Sequence, residues 1–285
     1  MKIKTGGSKM LWIILLSITA LIIGVFIFFN IPYSKTKTEF NQLATTEINK
    51  ANKISETYTL EDIKDFPSPV QKYFQYCGWL GQPKMAYAKA DFKNADFVLN
   101  DKNIKIDHTV YGFTNKPSRV AFVDTKMYGL PVQAVDSYIG EVGRMKIVLG
   151  KTMTIANEVG PEMDKACLAT ILSECLIFPN IALQDYITWT AVDDTHAEAT
   201  ITHDGVTASG LFTFSEKGEM IAFTTNDRAY TGTDGTIKQA GWSALLNNYQ
   251  ATNGIKHPSH LKAVWHFDEG DLVYFDSDNA LFEYY

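Results

Sequence analysis

The sequence predicts a mainly β domain, a strongly curved antiparallel sheet or half-barrel packed on a buried helix, behind an N-terminal transmembrane helix. Three observations lead there. Leu11–Phe29 reads LWIILLSITALIIGVFIFF, with no charge and no proline, and roughly 20 apolar residues suffice to cross ~30 Å of hydrocarbon. Much of the rest alternates apolar and polar residues with period two, and no strand–helix–strand rhythm appears, so antiparallel pairing is expected. One segment, PEMDKACLATILSECLIF, is instead apolar nearly all round in its later turns, the pattern of a helix buried on every side.

Taken in order, Lys2, Lys4 and Lys9 precede the apolar run, and Lys35 and Lys37 follow it beside Glu39. That bias favours a cytoplasmic N-terminus and an extracytoplasmic domain at the cell membrane. A cleaved signal peptide would carry a shorter apolar core ending at small residues. Here the exit is Phe28-Phe29-Asn30-Ile31-Pro32 with no cysteine near it, so an uncleaved single-pass anchor is expected. The predicted organisation is a tail over 1–9, an anchor over 10–30, a juxtamembrane helical linker over 31–64 and a β-rich domain over 65–285. Within the linker, Phe40, Leu43, Ala44, Ile48 and Ala51 recur at helical spacing. Pro69 opens a second helix, Val70, Tyr73, Phe74 and Cys77 form its stripe, and Gly78 stops it.

Strands are predicted near 84–99, 104–110, 118–128, 131–139, 144–158 and 186–193. HAEATITH, the Asp204-Gly205 turn, VTASGLFTFS, a Glu-Lys-Gly turn and EMIAFTTNDRAY form a meander over 196–230, because Asp-Gly suits a tight hairpin that needs positive φ. Further strands are expected over 259–268 and 271–284. Between them, Pro161, the first-turn Glu162 and Asp164, and Pro179 bound a helix over 161–178.

Charge narrows the partners. Of 26 basic residues three precede the anchor, leaving 23 against 32 acidic ones, a formal charge of −9. That argues against nucleic acid and against docking on anionic headgroups. Cys77, Cys167 and Cys175 form no disulfide framework; the last two, eight residues apart on one helix, stand about 12 Å apart, too far to bond. His257, His260 and His266 lie in HPSHLKAVWH, where Pro258 breaks any helix and no zinc-like spacing exists, so no metal and no cofactor are expected. His108 reads as a core histidine. Gly150-Lys151-Thr152 lacks the upstream glycine of a phosphate loop, since position 145 is Met145.

Glu174 is the least expected residue, a carboxylate in the apolar helix. A buried carboxylate needs a partner, and arginine's fork is the preferred one. The chain has three arginines, Arg119, Arg144 and Arg228, and the expectation is a pair between Glu174 and Arg228 or Arg144. Aromatics crowd the C-terminal part. They read as core and cross-strand pairs, or as the lining of an apolar site built from Trp242, Tyr249, Trp265 and Phe178.

PSPVQKYFQYCGWLGQP, LPVQAVDSYIGEVGRMKIVLG, SECLIFP, NYQATNGIKHP and Trp265, in that order, resemble an uncharacterised bacterial family of membrane-anchored proteins, the domain of unknown function numbered 6544. The resemblance covers about residues 65–285 and marks Pro69, Gly81, Asp136, Tyr138, Gly143, Glu174, Pro179, Tyr249, Gly254 and Pro258. It implies a cell-envelope protein and no established activity. Relatives carry arginine early in the first strand where this chain has Lys84 or Lys89, which weakens an anion site there. The architecture is also similar to half-barrel lipoprotein carriers, by fold analogy alone.

Three functions follow. One is a module binding a lipid or other apolar ligand through Trp242, Tyr249, Trp265 and Phe178, with Glu174 and an arginine fixing one end. The second is an envelope scaffold that meets a protein partner through the helix near 38–54. The third is a hydrolase using Glu174 or Asp136 as acid or base.

Overall fold

The computed structural model describes residues 6–99, 102–231 and 236–285. Helix α1 (Gly6–Asn30) contains the whole apolar run. Helix α2 (Lys35–Lys50) follows, with the Ser34 side chain accepting from the Lys37 amide as its N-cap. The short α3 (Leu60–Ile63) opens with a capping box of Thr59 and Asp62. In α4 (Ser68–Cys77) proline stands in the first turn, and Gly78 ends the helix in the left-handed region at φ 79°.

Six strands then run consecutively: β1 (Tyr87–Leu99), β2 (Lys102–Phe113), β3 (Ser118–Met127), β4 (Leu130–Ile139), β5 (Val142–Leu149) and β6 (Met153–Val159). Helices α5 (Pro161–Glu174) and α6 (Pro179–Ala182) come next, then β7 (Ile187–Ala191), β8 (His196–His203), β9 (Val206–Phe214) and β10 (Met220–Thr225). A small separate hairpin joins β11 (Ala229–Thr231) to β12 (Ile237–Gln239). The chain closes with β13 (Gly241–Thr252), β14 (Ile255–Phe267), β15 (Gly270–Ser277) and β16 (Leu281–Tyr284).

The large sheet has the order β6-β5-β4-β3-β2-β1-β15-β14-β13-β10-β9-β8-β7, with β16 beside β1. Its strand pairs are antiparallel, as the sequence predicts. Among the described residues, β1 alone joins its two halves. It meets β15 at Asp96↔Asp276 and Phe97↔Phe275, and β16 from Ala88↔Tyr284 to Asp91↔Leu281.

One face carries the main core, in which Leu168, Ile171, Leu172 and Leu176 meet Tyr73, Phe74, Phe212 and Phe223. Helix α5 contacts β4, β5 and β6 toward one end of the sheet and β8 and β9 toward the other. The Tyr138 hydroxyl of β4 lies 3.1 Å from His203 Nδ1 of β8. The opposite face of β2–β4 is covered by α2, where Phe40 stacks on Phe122 with centroids 5.2 Å apart and joins Phe113, Val120 and Val135.

Several boundaries differ from expectation. The strand read as 144–158 is the β5–β6 hairpin, turned at Gly150 (φ 60°) and Lys151 (φ 64°). The helix read as 161–178 ends at Glu174, because the amides of both Ile177 and Phe178 bond back to the Glu174 carbonyl and close the last turn. The strand read as 271–284 breaks after Ser277. Strand β13 is an addition that sequence alternation does not reveal, since Leu245-Leu246 and Asn247-Asn248 interrupt the period and Asn248 takes φ 55°.

Candidate ligand-binding site

The carboxylate expected to pair with Arg228 or Arg144 pairs with Arg119 instead. Arg119 projects from β3 toward α5 and is 5% exposed. Its Nε donates to Glu174 Oε1 at 3.1 Å and Oε2 at 2.9 Å, and its Nη1 donates to Asp136 Oδ2 at 2.7 Å. The reason lies in chain order: β3 and β4 sit under the end of α5, while Arg144 belongs to the other face of β5. There Arg144 lies 3.5 Å from Glu39 of α2 and donates to Asn157 at 2.8 Å. A carboxylate closing a helix is disfavoured by the negative end of the helix dipole. The Arg119 fork compensates it and brings Asp136 into the same cluster. The two acids beside Arg119 hold its guanidinium protonated more firmly than usual, against the burial that works the other way.

The surroundings are dry and titrate accordingly. Burial, and the Arg119 charge next, push the His108 imidazole down to about 4; its Nδ1 is buried without a hydrogen-bond partner. Burial and then Asp136 push the Cys167 thiol up, while Arg119 and Arg228 oppose them. The same turn of α5 therefore feels both arginines. An inert buried thiol is the outcome at Cys167, as at Cys77 and Cys175.

Arg228 is differently placed. Its guanidinium lies over the Trp242 ring at 4.4 Å and the Trp265 ring at 5.4 Å from the centroids. The adjacent Asp227 is taken by Lys165 Nζ at 2.6 Å and by the Ser209 amide at 2.7 Å. Among the described residues no carboxylate lies within salt-bridge distance of Arg228, and its buried Nε has no hydrogen-bond partner. From this cation a row of rings runs over the sheet: Trp265 with Tyr230 (5.5 Å), Tyr230 with Phe267 (5.2 Å), Trp265 with Tyr274 (6.1 Å) and Tyr274 with Phe97 (5.7 Å). Trp242 Nε1 donates to the Tyr274 hydroxyl at 3.0 Å and fixes the row from below. Apart from Trp242 and Trp265, these rings are half-buried.

The four aromatic residues expected to line one site thus divide. Trp242 and Trp265 lie together against the Arg228 guanidinium. Tyr249 packs edge-on to Tyr76 of α4, its hydroxyl donating to the Met220 carbonyl at 2.9 Å. Phe178 fills the space over Gly112, where an added Cβ would come within 2.6 Å of its ring. Lys84 is neutralised by Asp62 and Glu56, and Lys89 by Asp91 and Glu283. Phe267 and Tyr274 belong to the C-terminal aromatics that the sequence singles out; Tyr230, Phe97 and the pairing of Arg119 are what it misses. The alternation Arg119, Ala121, Val123 places those three on one face of β3, but only topology puts that face under Glu174.

The outer face carries a hollow of about 550 Å³ lined by Ser209, Thr224, Asn226, Ser243 and His266. Ser243 Oγ is 2.7 Å from His266 Nε2, and His266 Nδ1 is 2.7 Å from Asp271 Oδ1. These are the contacts of a serine–histidine–carboxylate relay. Ser243, however, is 2% exposed, and β13 is paired on both sides at this residue, so its ladder leaves no amide to bind an oxyanion. The relay serves as a cross-strand strut. No group of three or more metal-ligating side chains occurs among the described residues.

No curated protein matches the chain. Among solved structures it is similar to a LolA superfamily protein from Nitrosomonas europaea, at 10% identity and TM-score 0.37 over 76% of this chain and 92% of that one. It is also similar to a DUF1329 family protein from Desulfovibrio piger, at 12% identity and TM-score 0.32 over 76% and 93%. Residues 56–277, which include the Arg119 cluster, Arg228 and the whole aromatic row, match the family of unknown function DUF6544, and the chain belongs to that family.

Proposed function

We propose that this protein is a membrane-anchored module that binds an anionic amphiphile, with the head on Arg228 and the chain along the aromatic row. The observation that carries the reading is the contrast between the arginines. Arg119 is doubly compensated and Arg144 has Glu39, whereas Arg228 rests on two indoles with no carboxylate within salt-bridge distance among the described residues. A guanidinium held over tryptophan keeps its terminal donors for a phosphate or carboxylate, which it can bind through two parallel hydrogen bonds. The rings beyond it offer flat apolar surface.

A bend in the sheet supports this arrangement. Tyr138 and His203 stand on strands nine steps apart, about 43 Å across a flat sheet at ~4.8 Å per step, yet their side chains meet at 3.1 Å. In this reading the sheet wraps α5 and turns the aromatic row inward. Helix α1, long and apolar enough to span a bilayer, would hold the domain outside the cell membrane, next to a supply of amphiphiles. The hydrolase reading loses its acid and base, since Glu174 and Asp136 are both engaged by Arg119.

The test uses the full chain in a mild sugar detergent, with Trp12→Phe to silence the tryptophan of α1. Titration with a dibrominated C18 fatty acid is expected to quench the remaining tryptophan fluorescence saturably. Arg228→Gln should weaken binding at least about ten-fold, the loss of one charge-assisted pair, and the brominated alcohol of equal length should bind as weakly to the parent. Quenching that never saturates, or that ignores Arg228→Gln, would sink the proposal.

A further inference from the structure

The turn between β5 and β6 grips the end of α1. Lys151 is only 7% exposed, and its ammonium donates to the carbonyls of Phe28 at 3.0 Å and Ile31 at 2.5 Å. Those are carbonyls that a helix end leaves without partners, and a cation there also meets the negative end of the dipole. Gly150 lies against the Phe29 ring, 3.5 Å from where its Cβ would stand. The apolar run ends at Phe29, so this turn sits at the level where hydrocarbon gives way to headgroups.

The neighbouring hairpin reaches further. The Gly150 amide bonds to the Pro131 carbonyl at 2.8 Å, and beyond Pro131 the β3–β4 turn continues through Leu130, Gly129 and Tyr128, roughly 10 Å of strand at ~3.4 Å per residue. At its tip Tyr128 takes φ 52° and Gly129 φ 80°. Tyr128 is 78% exposed, Leu130 36%, and Met153 at the start of the open edge strand β6 55%. Tyr128 is a tyrosine in the left-handed region at a turn tip, where asparagine or glycine would be less strained, and most of its ring is left to solvent. Lys102 adds its ammonium over the Tyr128 ring at 4.6 Å.

We infer that Tyr128, Leu130 and Met153 form a footing that docks on the bilayer holding α1, with the Tyr128 ring at the headgroup boundary and Lys102 on lipid phosphate. This rests on the reading of α1 as a membrane span. Tyrosine is favoured at that boundary because its ring is apolar and its hydroxyl wet. The occupant is set by chain continuity: a footing within a few residues of a helix end that leaves the bilayer meets that bilayer first. With one end fixed by α1 and another by the hairpin, the domain would hold one orientation over the membrane.

The test attaches a nitrobenzoxadiazole fluorophore to Tyr128→Cys, to Met153→Cys, and to Val142→Cys at the start of β5, at the far end of the same hairpins. Each full chain is reconstituted in phosphatidylcholine vesicles with or without lipid carrying a doxyl quencher high on its acyl chain. The expected result is strong quenching at positions 128 and 153 and none at 142. Protein that floats with the vesicles and resists alkaline extraction, yet shows equal quenching at all three positions or none at any, would overturn the footing and leave the anchor standing. Protein that fails to float would remove both.

Discussion

At the scale of single residues, Arg119 matters because one guanidinium serves two carboxylates. Removing it strands Glu174 and Asp136, each about one-fifth exposed, beside a helix end and a buried thiol. Breaking a buried pair on one side costs ~3–5 kcal/mol, reduced here by the residual exposure. Arg119→Ala is therefore expected to lower unfolding stability by about 2–4 kcal/mol in urea titrations, and Glu174→Gln by about half as much, since Asp136 stays compensated. A loss under about 1 kcal/mol for Arg119→Ala would show that the cluster is not structural. The sequence made Glu174 conspicuous, because a carboxylate in an apolar helix demands a partner. It could not choose among three arginines, since the choice depends on which strand passes beneath the helix end. Arg228 stands out in the sequence as a partner for Glu174, whereas in the fold it lies over Trp242 and Trp265 with no carboxylate within salt-bridge distance among the described residues.

At the scale of elements, α5 is seated by a single glycine. The Gly143 amide donates to Asp164 Oδ1 at 2.6 Å, and a Cβ at Gly143 would meet the Met163 carbonyl oxygen at 2.7 Å and its carbon at 2.8 Å. These are backbone atoms that no rotamer change can move aside. Gly143→Ala should push the first turn of α5 off β5 and destabilise the fold by about 2 kcal/mol or more, in the range of overpacked cores. A midpoint in urea within error of the parent would contradict that seating. The helices were readable because their punctuation is local: Pro161 and Pro69 inside first turns, Gly78 after a last one. Hairpins with Asp204-Gly205 were equally plain. Strand β13 escaped because its alternation is broken, although the Asn253-Gly254 turn that closes it, with φ 52° and 85°, was itself a usable hairpin signal. Helix α2, read as linker, lies on the sheet through Phe40, and its Glu39 binds Lys146 at 2.5 Å.

At the scale of the whole molecule, fold class followed from alternation and from one all-apolar helix, but the strand order could not. Antiparallel neighbours within each half succeed one another in the chain except at β10 and β13, which the β11–β12 hairpin separates, whereas the contact of β1 with β15 and β16 spans about two thirds of the chain. The acidic total argues against docking on anionic headgroups and says nothing of local placement: Lys102 lies over Tyr128, and Lys151 binds the end of α1. Deleting residues 281–285 should uncover the edge of β1 from Ala88 to Asp91, and open edges recruit other chains. The shortened protein is expected to elute as dimers and larger species in light-scattering chromatography, where the parent would not. An unchanged mass would mean that β15 alone seals the seam.

That seam also sets a clock. Lys89 and its partner Glu283 are 194 residues apart, so at roughly 5–20 residues per second β1 leaves the ribosome about 10–40 s before β16 exists. Over that interval β1 has no partner on its β16 side, and the β1–β6 sheet, once made, is open there as well as at β6. Biogenesis of this protein would depend on whatever shields that edge, be it slow passage through a translocation pore or a holding chaperone, and newly made chains at high density would be at risk of exchanging their last strands.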